Sequence, residues 1–316
     1  MKNLNPNKIL VTGNRGFFGT NFEQYIEREY PNVDLYGFDL KHGQDCRNYE
    51  QIEKAISGKL AVFHFAAFTH TDTSMRYPEL FLNGNIKGTF NVLKACTKHK
   101  VKMVHISSSE VYGTLAKGWK LQSEEHPFQP ASPYAVSKAA CDLMCQTWHK
   151  VYGTDVVIVR PFNGYGFYQD RRKVMSKFIE KAEKGLPLQI YGDGSQKRDW
   201  TFAEDIVKGI WKAYQLPAGT IINLCSGKSY SILEIIDILR KIIKKRLKIE
   251  FVQPRHAEVQ EMKGNPEKAK KLLRWKAEIS LERGLEKTYR WLKENKPIAY
   301  LGGEPKTLRF VSNEGV

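Results

Sequence analysis

A short apolar run, Lys8–Thr12, passes directly into Gly13-Asn14-Arg15-Gly16-Phe17-Phe18-Gly19, and a helical pattern over residues 16–30 follows. Few features restrict a chain more. Glycines three apart let the backbone turn sharply, let an anion approach the helix N-terminus, and let the helix lie close on the strand. The rest of the first half keeps the same alternation. Strands are expected at Val33–Phe38, Leu60–Phe65, Lys102–Ser107 and Val156–Val159, with helices at Tyr49–Ser57, Glu79–Lys98 and Pro133–Tyr152. Ser132 supplies an N-cap and Pro133 the first turn of the last of these. Strands separated by helices imply right-handed crossovers onto a parallel sheet. A continuous apolar strand such as Leu60–Phe65 suits a sheet covered on both faces. The fold class expected is therefore α/β, a doubly wound parallel sheet with a smaller mixed C-terminal lobe. After about Arg160 the elements shorten and glycines become frequent (Gly164, Gly166, Gly185, Gly192, Gly194). The expected boundaries are 1–165 for the first domain, with 200–225 returning to it, and 166–316 for the second lobe.

Asp39 closes the second strand twenty residues after Gly19. A carboxylate there accepts hydrogen bonds from an adenosine ribose and repels a 2′-phosphate, which favours NAD over NADP as the cofactor. Arg15 inside the loop and Lys41 nearby are the groups that would instead meet such a phosphate.

A second signal is Tyr134-Ala135-Val136-Ser137-Lys138. The i, i+4 spacing puts a phenol and an ammonium on one helix face. A nearby cation is expected to lower the phenol pKa and to fit Tyr134 for general base catalysis on a sugar hydroxyl. The spacing alone is common, and Tyr289/Lys293 repeats it on a basic helix without supporting neighbours. Ser107-Ser108-Ser109-Glu110 gives Tyr134 its context, because it ends a parallel strand, where open α/β sheets place ligands.

With these residues in hand, the sequence resembles the extended short-chain dehydrogenase/reductase family, in its NAD-dependent sugar-nucleotide epimerase/dehydratase branch. The likeness runs from Lys8 to Lys296. It includes Gly13/Gly16/Gly19, Asp45-Cys46-Arg47, His64-Phe65-Ala66-Ala67, Ser74 with Asn85, and Ser107–Gly113. Ser132–Lys138, Arg160-Pro161-Phe162-Asn163 and the stretch Tyr191–Trp200 complete it. The resemblance implies a Rossmann-like fold whose second lobe takes a nucleotide-diphosphate sugar. It implies a cofactor site formed by Gly13, Arg15, Gly16, Phe17, Phe18, Gly19, Asp39, Asp45, Ala66, Ala67, Asn85, Lys138 and Pro161. Asp39 would lie on the ribose, Asp45 near adenine and Lys138 on the nicotinamide ribose. Ser108 and Tyr134 would meet the sugar C4 hydroxyl, and Asn163, Arg198 and Arg255 would hold the diphosphate. Ser74 belongs to the same substrate set, and His70 is a candidate for lining the sugar pocket. The helices Glu79–Lys98 and Pro133–Tyr152 would form a homodimer interface.

The shared chemistry is oxidation at C4, which acidifies the adjacent C5 proton. A 4-epimerase then needs little beyond Ser108 and Tyr134. A 4,6-dehydratase needs a carboxylate for the C5 proton and an acid for the departing C6 hydroxyl. Dehydratases of the dTDP-glucose type carry Asp-Glu after the catalytic hydroxyl residue, where this chain has Ser109-Glu110. Glu110 stands where a C5 base would be, while Ser109 replaces the acid, which is missing; Glu110 places dehydratase chemistry narrowly ahead of 4-epimerisation, with Ser109 kept among the candidate catalytic residues. UDP-glucuronate decarboxylation ranks third, and a non-catalytic NAD-binding sensor is disfavoured by the joint presence of Ser108, Tyr134 and Lys138.

Composition limits the remaining classes. The chain is 41% apolar, enough for a real core, and its net charge is +16. Residues 240–296 hold 18 basic groups against 8 acidic ones, while residues 1–160 are close to balance. The basic stretch interleaves with Ile235, Ile236, Leu239, Ile242 and Ile243 at helical spacing. It is read as a solvated helix face, with no nucleic acid as partner. Five scattered cysteines suit reduced thiols in a cytoplasmic protein. Cys141 and Cys145 are expected in the core, without a metal role, and His64 and His105 as buried strand-end groups. No run approaches the ~18 apolar residues of a membrane span, and the N-terminal residues have no signal-like apolar region.

Overall fold

The computed structural model describes residues 8–255 and 258–295. The outer ends of the two expected domain ranges, and Lys296 of the basic stretch, lie outside the described residues. The strands are β1 (Ile9–Thr12), β2 (Leu35–Phe38), β3 (Ala61–His64), β4 (Lys102–Ile106), β5 (Val156–Pro161), β6 (Asn163–Tyr165), β7 (Leu188–Tyr191), β8 (Lys197–Phe202), β9 (Ile221–Leu224), β10 (Ser229–Ser231) and β11 (Ile249–Val252). Six of them form one parallel sheet in the order β2-β1-β3-β4-β5-β9. The helices are α1 (Phe17–Glu29), α2 (Tyr49–Ile56), α3 (Thr71–Arg76), α4 (Pro78–Phe81), α5 (Lys87–His99), α6 (Pro133–Tyr152), α7 (Val174–Glu183), α8 (Ala203–Ala213), α9 (Ile232–Ile243), α10 (Glu267–Leu273) and α11 (Leu281–Glu294).

The strands are apolar throughout because both faces are covered. Ile9, Val11, Phe63, Val104 and Val157 pack against Phe22, Ile26, Ile206 and Trp211 of α1 and α8. The alternate residues Leu10, Val62, Met103 and Ile158 pack with Ile52, Val92, Leu93 and Cys145 of α2, α5 and α6. Period-2 geometry thus sends one strand's residues to two separate cores.

A second apolar cluster holds the remaining strands. Met175, Phe178, Leu188, Trp200, Phe202, Ile235, Leu239 and Leu285 come from α7, β7, β8, α9 and α11. There β8 lies between β10 and β6, and β7 pairs with β11. Helix α9 opens on a capping box between Ser231 and Glu234. It buries Ile235, Ile236, Leu239 and Ile243, and stops at Lys244 in the left-handed conformation. Its Arg240 and Lys241 face solvent near the carboxyl end, where cations suit the helix dipole.

The helix expected over Glu79–Lys98 is present as a continuous run from Pro78 to His99, with one irregular turn inside it. A π-helical turn, Leu82–Ile86, separates α4 from α5. There the Asn85 side chain faces inward. Its Oδ1 accepts from Phe68 N at 2.7 Å, and its Nδ2 donates to Phe68 O and to Ser137 Oγ at 3.1 and 2.9 Å. A local apolar period does not register a contact of that range.

Between α6 and the sheet lies a buried ion pair. Arg160, 1% exposed, donates from Nε to Asp142 Oδ2 at 2.7 Å and from Nη1 to Tyr112 Oη at 2.7 Å. Tyr112 in turn donates to Asn223 Oδ1 at 2.8 Å. Removing one partner would strand a buried charge, at a cost of about 3–5 kcal/mol. Arg160→Met alone is therefore expected to lower unfolding free energy by about that amount. Arg160→Met with Asp142→Leu should recover most of it, as measured by urea denaturation. Equal losses in the single and double variants would contradict the account.

His64 and His105, ring centroids 5.6 Å apart, are also buried. Burial, with the Lys138 charge adding, pushes His64 down to about 3 and His105 well below the ordinary value. Unfolded histidines take up protons below about pH 6.5, whereas these do not. Their contribution is thus complete above pH 6.5 and is lost as pH falls toward 3, by about 1.4 kcal/mol per pH unit for each. Tm should fall between pH 6.5 and 5, and less steeply in a His105→Gln variant; equal slopes would refute the assignment.

Candidate active site

The chain leaves β1 for β2 on one side, and β3 lies on the other side of β1. Beyond the carboxyl ends of β1 and β3 this reversal opens a crevice. Its floor is the glycine loop. Gly13 has φ +71°, and a Cβ there would lie 2.6 Å from Ala66 N; one on Gly19 would lie 2.2 Å from Gly13 O. Gly16 precedes α1 without any side-chain cap, so the N–H groups of Phe17, Phe18 and Gly19 form an unblocked helix N-terminus. Phe17 and Phe18 rings are 4.6 Å apart, and Phe18 also covers Gly164 of β6.

Asp39 follows β2 and is buried. Its Oδ2 accepts from Arg15 N and its Oδ1 from Lys41 N, both at 2.9 Å, so each oxygen keeps a lone pair. Both cations have partners within the protein. Lys41 Nζ donates to Arg15 O at 2.9 Å, and the Arg15 guanidinium meets His42 Nε2 at 3.2 Å. Asp45 is engaged bidentately by Arg47 at 2.6 and 2.8 Å. Ala66 N reaches Thr12 Oγ1 at 3.3 Å; Ala67 follows it in the loop after β3, and Pro161 ends β5. All three polar bonds of Asn85 are internal, as described above.

Helix α6 starts as its sequence dictates, with Ser132 Oγ accepting from Ala135 N at 3.1 Å. It brings Lys138 against the end of β4, where Nζ donates to Ile106 O at 2.7 Å. That bond ties Lys138 to the strand that runs into Ser107 and Ser108. Tyr134 lies one turn earlier, within hydrogen-bonding reach of Ser108. The expectation of a lowered phenol pKa is overturned. Burial pushes Tyr134 up to about 12; the Ser108 bond pulls the other way, and the charges of Glu110 and Asp142 add to the rise. The Lys138 ammonium is turned to the Ile106 carbonyl and is itself lowered by burial. Burial thus favours the protonated phenol.

Ser108 Oγ accepts from Glu110 N at 3.2 Å and caps a short 3-10 turn, Ser109–Tyr112. Ser109 is buried and Glu110 half-buried. Sequence reasoning missed the group facing Glu110. Lys173, ahead of α7, is lowered by burial, while the Glu110 charge and then Asp170 and Asp72 oppose the fall. The only local signal was the run Arg171-Arg172-Lys173, which looks like surface charge. His70 shares this region and caps α3 by accepting from Thr73 N at 3.3 Å, with a strained φ of +110°. Burial, then Lys173 and Arg172, bring it down to about 4.

The other substrate-side candidates are dispersed. Ser74 is buried and donates to Thr71 O at 2.7 Å. Asn163 Oδ1 is buried with no partner among the described residues. Arg198 opens β8, and Arg255 follows β11 with its guanidinium 4.2 Å from the Tyr191 ring centroid. Both are paired with carboxylates, Arg198 with Glu258 and Arg255 with Asp72, each at 2.9 Å.

Comparison with known proteins agrees with this arrangement. The family model described as GDP-mannose 4,6 dehydratase matches residues 10–288. UDP-glucuronate 4-epimerase of Thermodesulfobacterium geofontis is 32% identical over 319 residues, covering 90% of this chain and 96% of that protein. dTDP-glucose 4,6-dehydratase of Haemophilus influenzae is 30% identical over 335 residues, covering 90% and 97%. The crystal structure of dTDP-glucose 4,6-dehydratase from Streptomyces venezuelae, with NAD and TYD bound, superposes with a TM-score of 0.86 at 30% identity, covering 91% of this chain and 97% of that one. A glycine cradle at the switch point, a Tyr–Lys pair beside a strand-end serine, and a match along most of the chain place this protein in the GDP-mannose 4,6-dehydratase family, within the extended short-chain sugar-nucleotide epimerases and dehydratases.

Proposed function

We propose that this chain is an NAD-dependent enzyme that oxidises C4 of a nucleotide-diphosphate hexose and eliminates water across C5 and C6, with the hydride then returned from the reduced cofactor to C6 and a proton to C5. The fit to the cofactor rests on the cradle that a Cβ at Gly13 or Gly19 would fill. There the α1 N-terminus would take the pyrophosphate, Asp39 the adenosine ribose, and Lys138 the nicotinamide ribose through the protons not given to Ile106. Bound in that cradle, NAD supplies a hydride acceptor and donor. Its positive nicotinamide ring would also bring the charge that the Tyr134 phenol lacks. Tyr134 then accepts the C4 hydroxyl proton while Ser108 holds the same oxygen.

Glu110 is the observation that carries elimination. Its carboxylate stands at the end of β4, two residues beyond Ser108, where a C5 proton acidified by the neighbouring ketone would be taken. Epimerisation at C4 is the second reading, favoured by Ser109, a buried hydroxyl where dTDP-glucose-type dehydratases carry the acid. The UDP-glucuronate 4-epimerase relative supports the same reading. The test is incubation with UDP- and dTDP-hexoses, following the product by NMR. A 4-keto-6-deoxy sugar is expected. Interconversion of C4 epimers without loss of water refutes the first reading. Glu110→Gln should lose elimination by about 10²–10⁴-fold yet still reduce bound NAD when substrate is added, read as absorbance of the reduced nicotinamide.

The second proposal concerns assembly and location. Helix α6 exposes Val136, Leu143 (55%) and Val151 (64%) along one stripe, with Trp148 and Phe90 of α5 packed edge-to-face at 5.7 Å beside it. This apolar face fits a homodimer built on α5 and α6. Leu143→Glu should shift the mass measured by light scattering from dimer to monomer; an unchanged mass would place the interface elsewhere. The five cysteines are buried and unpaired, which suits a cytoplasmic setting. Among the described residues no helix is long and apolar enough to cross a membrane.

A further inference from the structure

Two of the substrate-side candidates, Asn163 and Arg198, share one face of the small sheet β10-β8-β6. Asn163 of β6 is the Cα partner of Trp200 on β8. The next pair along, Tyr165 and Phe202, has its rings 5.6 Å apart. Partners on neighbouring strands lie about 5 Å apart and send their side chains to the same side. Arg198, two residues before Trp200 on β8, faces that side too by the period of two. Asn163, Trp200 and Arg198 therefore stand together along one stretch of sheet.

Trp200 is 8% exposed, and its Nε1 is buried with no partner among the described residues. Asn163 Oδ1 is buried in the same condition. A buried indole in this fold does not have to go unpaired, since Trp275 Nε1 donates to Asp205 O at 2.8 Å. At Asn163 and Trp200 a donor and an acceptor have both lost water, on positions paired across two strands. One hydrogen bond between them would remove both costs at once.

The two groups differ in what they permit. An indole N–H can only donate, whereas an amide carries an oxygen at one end and two N–H bonds at the other. The indole can therefore meet only the oxygen of Asn163, and the Nδ2 protons are then left to point elsewhere. Phosphate oxygens accept and do not donate, so an amide turned the other way would set oxygen against oxygen.

We propose that Trp200 is a positioning residue for the nucleotide-diphosphate ligand. Its indole N–H takes Asn163 Oδ1 as the ligand binds, and so holds the amide with its N–H bonds on the diphosphate. Both atoms are unpaired in the structure, so the free energy of their bond is gained on binding. The proposal rests on the reading that Asn163 receives the diphosphate.

The test uses the ¹⁵N-labelled full chain titrated with UDP and, separately, with dTDP. The Trp200 indole N–H resonance, assigned by its absence from Trp200→Phe or Trp200→Tyr, should move downfield on binding. In Asn163→Ala it should stay in place. By calorimetry Trp200→Phe should weaken the diphosphate about fivefold, as loss of one hydrogen bond allows. The double variant should bind no more weakly than Asn163→Ala alone, because the effect of Trp200 passes through that amide. A packing role alone would weaken binding equally in both backgrounds and leave the N–H resonance unmoved. Either of those results overturns the proposal while the diphosphate site survives. If neither diphosphate binds the wild-type chain, or Asn163→Ala leaves binding unchanged, the reading of Asn163 fails and the proposal with it.

Discussion

The buried pair between Arg160 and Asp142 constrains everything the site does. Two charges out of water lose several kcal/mol of hydration each, so such a pair depends on the bonds that support it. Here Tyr112 shares the guanidinium and passes the connection to Asn223 on β9, while Asp142 lies on α6. The pair therefore fixes α6 against β5 and β9 at one height and one rotation. Lys138 lies one turn before Asp142 and Tyr134 two turns before. The distance from the phenol and ammonium to the end of β4 is thus set deep in the core, not by the surrounding loops. The bond from Lys138 to Ile106 O is the visible result at the surface of the crevice.

The site also shows how burial and charge divide the chemistry. His64 and His105 stay neutral under the floor because they are buried, with the Lys138 charge adding to the effect. Tyr134 lies half-buried in the same region, and its phenol is held in the protonated form by desolvation, with the carboxylates of Glu110 and Asp142 adding to it.

How much of this the sequence reveals depends on the range of the interactions. The glycine loop, the Ser132 cap and the Tyr134–Lys138 pair are local spacings, and each is legible because one turn or one helix face determines it. The two-sided core follows from continuous apolar strands. What escapes is long-range. The π turn at Leu82–Ile86 holds Asn85 where it reaches Phe68 and Ser137, and the Tyr134 shift comes first from desolvation of its phenol. Lys173 faces Glu110 from more than sixty residues away, and Arg198 and Arg255 meet carboxylates that no spacing rule links to them. The net charge of +16 was the least informative feature. Much of its excess lies on solvent faces near α9 and α11, and the cations placed at the site are few.

The π turn before α5 has a consequence of phase. A π turn amounts to one residue inserted into a helix, and one residue is about 100° of rotation. Upstream of Leu82 the chain keeps register with α3 and the residues around His70; downstream it keeps register with the sheet and with α6. Asn85 sits at the junction of these two registers. A single-residue deletion anywhere in 82–86 would leave the helix longer and more regular. It would also swing every side chain of α5 around the axis by nearly a third of a turn, so that the face now packed on the sheet and the face now turned outward could not both be kept. One irregular turn therefore lets a single stretch of chain serve the crevice at one end and the outer surface at the other.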